Sequence, residues 1–329
     1  MASLSPATPR ISPFDAARGA IEHTKRHLFP FRFEKWAILG FLAFLDQCGR
    51  SGYWGPHAQW NADGHPHRQI AEAMRRWGGD ASGAGPSGDL AEALRAGFGW
   101  ASAHAAWLVA GAVFGLVLVL ALAAFVTWIN ARGTFMYLDG VVSGRADGVR
   151  PWRQHAARAD SYFAWRFGLG VLALGLVVGA LSLLVAVGHG YAYGRLSAVS
   201  GAAIGLALAP VLAILALALP LLVLMGVALR DFVAPLQVAA GVSCGEAIRV
   251  FEDLLVAQPG AFVIYLLMKI GVVVVTGLAI VLGGCLTCCI GFIPIVMQAV
   301  FQPFFFFERA WSVVLLRQMG HDVAGRLAA

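Results

Sequence analysis

One full charge stands well inside an apolar run: Lys269, about 12 Å along a helix from Ala261 at 1.5 Å per residue. A charge at that depth is costly and needs a carboxylate, a carbonyl or a wet cavity, so Lys269 is a candidate functional residue. Asp139, Asp231 and Glu308 are the acids near the boundary that offer it a partner. The competing reading is a stem that snorkels to that same boundary. Gln298 and Gln302, one turn apart in the last apolar run, are placed to line a polar pathway or to join helices. Asp139 with His155 is the one acid and imidazole pair near headgroup level, the thin basis for a lipid-modifying enzyme.

Cys285, Cys288 and Cys289 crowd one hairpin, and Cys48 is a fourth thiol predicted for the same outer side. An oxidising compartment would permit a disulfide among them, while buried thiols used as small packing residues are the alternative. Their apolar setting and the lack of a matching ligand pair argue against a metal. His57, His65, His67 and Asp63 are zinc or copper ligand types, but their spacing carries no coordination logic and reads as an exposed segment. There is no phosphate-binding loop, no HExxH, no GxSxG and no carboxylate pair placed for glycoside chemistry. The sequence therefore predicts no catalytic residue, no metal and no cofactor.

These residues sit in a chain of 329 residues that is 59% hydrophobic and only 13% charged. That is more apolar surface than a soluble core of this size needs, so the expected solvent is a bilayer. A spanning helix takes about 20 apolar residues. The reading is an all-α polytopic bundle in a single membrane domain: a cytoplasmic arm 1–35, then apolar spans at 36–48, 105–129, 167–188, 202–229, 261–283 and 290–308. An outer loop at 49–104, cytoplasmic amphipathic segments at 130–166 and 230–260 and a tail at 309–329 connect and finish them. The first span is the weakest, with ten uninterrupted apolar residues from Trp36 to Leu45, and a half-inserted helix is its alternative. The charged, proline-punctuated first 35 residues lack the apolar stretch of a cleavable signal peptide.

Charge sets the expected orientation, because short loops rich in Lys and Arg stay cytoplasmic. Seventeen basic residues fall on the side of both termini, including Arg18, Lys25, Arg132, Arg150, Arg230 and Arg309, against six on the other. Anionic lipid headgroups at the cytoplasmic face are the expected partners of that excess, and no nucleic acid is needed to explain it. Twenty-one Arg against three Lys, with abundant Ala and Gly, suggests a GC-rich bacterial source and hence an inner membrane.

A helical stripe with a charged opposite face precedes three of the spans. The first has Phe14, Ala17, Ile21 and Leu28; the second Val149, Trp152, Ala156, Ala159 and Phe163; the third Ile248, Phe251, Leu254 and Leu255. Ser243 and Glu246 read as a capping box, and Ser12, Pro13 and Asp15 as a similar helix start. Arg132, Arg230 and Arg309 each stand ahead of an apolar or aromatic run, so the layout reads as three repeats of in-plane helix plus transmembrane hairpin. Pro210, Pro220, Pro294 and Pro303 bend or interrupt their runs. The pairs Gly111 with Gly115 and Gly175 with Gly179 would admit a close neighbour, within the chain or in a homo-oligomer.

The stretches "RGTFMYLDGVV", "RDFVAP" and "CLTCCIGFIPIV", set in this layout, resemble uncharacterised bacterial six-span membrane families similar in plan to the membrane domain of some glycerophosphodiester phosphodiesterases. The resemblance implies a fold and no activity, since the soluble phosphodiesterase domain is lacking. The functional expectation is a non-enzymatic scaffold or regulatory module with protein partners. The alternative is a transporter or channel-like protein for a small or lipidic solute, with Lys269 near a central cavity.

Overall fold

The computed structural model describes residues 11–48, 86–193, 201–286 and 293–328, and among them every regular element is a helix. In chain order these are α1 (Pro13–Leu28), α2 (Phe33–Gln47), α3 (Pro86–Ala103), α4 (Ala105–Ser143), α5 (Val149–Gln154), α6 (Ala156–Ala192) and α7 (Gly201–Ala228). A π-turn (Leu229–Val233) then leads into α8 (Ala234–Ala240), followed by α9 (Cys244–Ala257), α10 (Pro259–Leu286), α11 (Pro294–Val300), α12 (Gln302–Gln318) and α13 (Val323–Ala328).

Four helices among the described residues are long and apolar enough to cross a bilayer: α4, α6, α7 continued through the π-turn and α8, and α10. Their outward faces carry Val117, Leu206, Leu217 and Leu267, each at least 60% exposed. Water would penalise such surfaces, and lipid does not. The chain is thus an all-α membrane protein. The first and last predicted spans stand apart from these four. At 15 residues α2 reaches about 22 Å, short of a hydrocarbon core of about 30 Å. The last apolar run is split at Phe301 into α11 and α12, with Pro294 and Pro303 serving as first-turn residues of the two pieces.

The chain divides into two compact units. One comprises Ser51–Ala124 and Gly168–Leu224 and holds lipid-type helix surface. Within it Phe98 packs edge-on to His189, with ring centres 5.0 Å apart. No described atom lies within 4 Å of where a Cβ would stand on Gly111, Gly115, Gly175 or Gly179.

The other unit, Met1–Arg50, Phe125–Phe167 and Met225–Ala329, contains Cys48, Asp139, Lys269, Cys285, Gln298 and Gln302, the candidate residues that the structure describes. Here the close helix approaches occur at other glycines. A Cβ on Gly133 of α4 would stand 2.5 Å from the Leu45 backbone carbon, and one on Gly40 of α2 would stand 2.7 Å from Ala299 Cα. Leu39 and Leu42 of α2 meet α4 again at Gly140. So α2 runs antiparallel along α4 from Asn130 to Gly140, beyond the apolar stretch that ends at Ile129, and is held from a second side by α11.

The arm helix α1 starts as its sequence indicates, with Ser12 Oγ accepting from the Asp15 amide at 3.2 Å. Its buried face is distinct from most of the apolar stripe and shares only Leu28 with it. Ala16, Ala20, Thr24 and Leu28 are buried, whereas Phe14 and Ile21 are exposed. Small side chains at every fourth position let α1 lie close on α12, where Trp311 Nε1 donates to Pro13 O at 3.0 Å and Gln318 Oε1 accepts from the Ser12 amide at 3.0 Å. The capping box of α9 is complete, with Glu246 Oε2 accepting from the Ser243 amide at 2.9 Å. In the second stripe Ala159 is buried and Val149 is exposed.

Candidate functional site

The geometry begins with a proline. In α8 Pro235 has no amide hydrogen to offer and its ring crowds the carbonyl four residues back. The helix widens there: the Ala234 amide donates to Leu229 O, five residues back, in place of the α-helical partner Arg230 O. Pro235 cannot serve Arg230 O either, so that buried carbonyl is open, and Arg309 Nη1 donates to it from α12. The π-turn also turns Arg230 and Asp231, consecutive residues, into the interior, where they are 2% and 1% exposed.

A second element arrives from α2. Its last carbonyls lack α-helical partners; Leu45 O accepts from the Cys48 amide at 3.3 Å, and Asn130 of α4 adds a donor, its Nδ2 donating to Leu45 O at 3.1 Å and to Asp46 O at 2.5 Å. Gly133, one turn further on, is what lets α4 come that near. A carboxylate at a helix C-terminus opposes the helix dipole and needs a cation. Arg230 provides it, with Nε and Nη2 donating to Asp46 Oδ2 at 2.9 and 2.5 Å.

Around this pair the network closes. Arg230 Nη1 donates to Glu308 Oε1 of α12 at 3.3 Å and lies 3.5 Å from Asp231 Oδ1. From α10 the Lys269 ammonium bonds Asp231 Oδ2 and stands 2.7 Å from Glu308 Oε1. Tyr265, one turn before Lys269, donates to Asp231 Oδ2 at 3.0 Å, and Arg309 Nη2 reaches Thr134 O at 3.4 Å. Three acids (Asp46, Asp231, Glu308) and three bases (Arg230, Lys269, Arg309) thus share one buried site, each at most 5% exposed. Their formal charges cancel. That balance is what makes burial tolerable, because an unmatched ion would keep its full desolvation cost.

The sequence-predicted residues fall at and around this cluster. Of the three acids offered to Lys269, the structure brings Asp231 and Glu308 to it and places Asp139 elsewhere. Asp139 is buried beside His155, whose Nε2 is 3.9 Å from Asp139 Oδ1, and within 3.7 Å of Arg150. Arg158 donates to His155 Nδ1 at 3.0 Å, which assigns the ring proton to Nε2, on the Asp139 side. Gln298 and Gln302 sit on separate helices: Gln298 Nε2 donates to Gln47 Oε1 at 3.4 Å, joining α11 to α2, and Gln302 Nε2 donates to the Tyr137 hydroxyl at 3.1 Å, joining α12 to α4. Cys48 and Cys285 carry free thiols, while Cys288 and Cys289 lie outside the described residues, as do His57, Asp63, His65 and His67. Among the described residues no three metal-ligating side chains converge.

Sequence reasoning missed Asp46, Arg230 and Arg309 as site residues. Arg230 and Arg309 were counted among the seventeen topology-setting charges, yet both are buried inside the protein. The available signal was the dipeptides Arg230-Asp231 and Glu308-Arg309, each pairing opposite charges beside an apolar run, together with Pro235.

Outside the spans two titratable features stand out. His23 Nε2 donates to Val141 O at 2.8 Å, and its ring lies 4.3 Å from that of His27. Burial pulls both imidazoles below their ordinary range, and nearby cations add to it: Arg26 and Arg317 for His23, and His23, Lys35 and Arg26 for His27. The Cys244 thiol, buried at the start of α9, is pushed up to about 12 by its burial and is a packing group at neutral pH.

Four long apolar helices with lipid-type outer faces, together with a charge-balanced polar core within one of the two units, define an integral membrane protein of all-α construction. The chain matches a family of unknown function, DUF7544, over residues 11–321, and belongs to that family. No curated protein and no solved structure matches it significantly.

Proposed function

We propose that this protein is a non-enzymatic scaffold or regulatory module of a bacterial inner membrane, with both termini in the cytoplasm. In this reading six apolar segments enter the bilayer. Four cross as long helices, and α2 and the α11–α12 segment complete the set as the short first and the interrupted last. The three in-plane helices that precede α2, α6 and α10 form its cytoplasmic surface, and the order in-plane helix, outward helix, returning helix recurs three times.

The observation that carries the reading is the charge-balanced cluster. It ties α2, the π-turn, α10 and α12 to one another through ion pairs that satisfy Lys269 within the protein. Such a core suits a rigid support better than a site that must open to a solute. Transport is the competing reading, and it has Asp46 Oδ1 and Asp231 Oδ1 to build on, buried oxygens with no hydrogen-bond partner among the described residues. Purification in native lipid, followed by identification of co-purifying proteins, should return a stoichiometric partner. Dye-loaded proteoliposomes should leak protons and small ions no faster than protein-free vesicles. A flux that Lys269→Met abolishes would replace the scaffold with a transporter.

A further inference from the structure

The arm helix α1 has two different apolar surfaces, and only one is used inside the protein. Ala16, Ala20, Thr24 and Leu28 face α12. Phe14, Arg18, Ile21 and Lys25 follow the spacing i, i+4, i+7, i+11 and so share another side, about 60° wide at 100° per residue. Phe14 is 63% and Ile21 45% exposed, and the two bases alternate with them along the stripe. Asp15 and Glu22 stand roughly a quarter turn away from its centre, by the same angular spacing.

The stripe continues into the link between α1 and α2. Lys35 Nζ donates back to His27 O at 2.5 Å and Trp36 Nε1 to Leu28 O at 3.2 Å, which pins both ends of the segment from Phe29 to Arg32. The Trp36 ring meets Phe29 and Phe31 edge-on, with centres 6.0 and 4.9 Å apart. Phe29, Phe31 and Phe33 nevertheless remain more than half exposed, with the bases Arg26, Arg32 and Lys35 and one acid, Glu34, beside them. Three clustered aromatic side chains held outward in a braced turn are costly in water, whereas a bilayer interface favours that arrangement: rings at the headgroup level, bases reaching the phosphates.

We infer that the Phe14–Arg18–Ile21–Lys25 stripe of α1 and the Phe29, Phe31 and Phe33 side chains form a docking surface for anionic lipid. The arm thereby lies flat on the leaflet, fixed to α12 by its small-residue face and to the headgroups by its aromatic and basic one. The choice of an anionic surface follows from the charge on the stripe, which is basic throughout. This inference rests on the membrane reading above and specifies which part of the chain meets the headgroups.

The test places the photo-crosslinker p-benzoylphenylalanine at position 14, 21 or, as a reference on α10, 267, in the full chain held in lipid nanodiscs with and without phosphatidylglycerol. Positions 14 and 21 should give lipid adducts that favour phosphatidylglycerol. Replacing Arg18→Gln or Lys25→Gln should lower that preference by about fivefold per base removed. Position 267 should give lipid adducts regardless of headgroup. Adducts at 14 and 21 to a second copy of the chain, or none to lipid while 267 labels normally, would overturn the inference and leave the membrane reading standing. Failure at 267 as well would overturn both.

Discussion

Replacing Lys269→Met keeps most of the side-chain volume and removes one of three positive charges from the buried cluster. The Lys269 ammonium lies 2.7 Å from Glu308 Oε1. At an effective dielectric constant of about 20 that separation corresponds to an attraction of about 6 kcal/mol. Desolvation of the two ions offsets part of it. Removing one partner from a buried pair is nonetheless expected to cost about 3–5 kcal/mol, because the carboxylates left behind stay buried without their cation. The second variant decides the reasoning. Glu308→Gln added to Lys269→Met restores equal numbers of acids and bases, and the double variant should be more stable than the sum of the single losses by about 2 kcal/mol. Reversible unfolding in bicelles, followed for the four members of the cycle, measures this coupling. A Lys269→Met cost below about 1 kcal/mol, the range of an exposed ion pair, would refute the cluster as a structural lock. Strict additivity would refute charge balance as its cause.

Two other perturbations follow from the same geometry. Gly133→Ala drives a Cβ into the Leu45 and Asp46 backbone and should destabilise the protein by about 1–3 kcal/mol, while Gly111→Ala, with open space around it, should be neutral or slightly stabilising; unfolding midpoints of the two variants compare them directly. The arm should also loosen in acid. Because docking pulls the His23 and His27 imidazoles below the ordinary value of about 6.5, the docked arm resists protons that the free arm accepts. Its seat is therefore intact above that pH and weakens as pH falls through 6.5 toward the lowered values. Hydrogen exchange of α1, corrected for intrinsic rates, should accelerate across that window, and His23→Gln with His27→Gln should flatten the profile.

Much of the architecture could be read from residue types, because apolar length is a property of sequence alone. The four long runs are the four candidate spans, and Ser243 with Glu246 and Ser12 with Asp15 mark helix starts where the structure has them. What escaped were features created by contact. Asp46 ends a short apolar run beside Gln47 and Cys48, and nothing local distinguishes it from a loop acid. Its role depends on Asn130 and Gly133, more than 80 positions away, which bring α4 against the end of α2. Arg230 looked like a topology charge because its consequence lies in Pro235, and the link between them is a hydrogen-bond register. The second face of α1 escaped for a related reason. Phe14 and Ile21 mark an apolar stripe in the sequence, but the tight seat on α12 uses small side chains that no hydrophobic pattern singles out. Lys269 was visible because a lone charge in an apolar run is conspicuous without any knowledge of its neighbours.

The equality of three acids and three bases has an electrical consequence. An elementary charge carried across a potential of 100 mV exchanges about 2.3 kcal/mol with the field, which is how voltage sensors are driven. In this core the six contributions cancel for any displacement the cluster makes as a body. On the membrane reading proposed above, a transmembrane potential therefore exerts no net force on this cluster as a body.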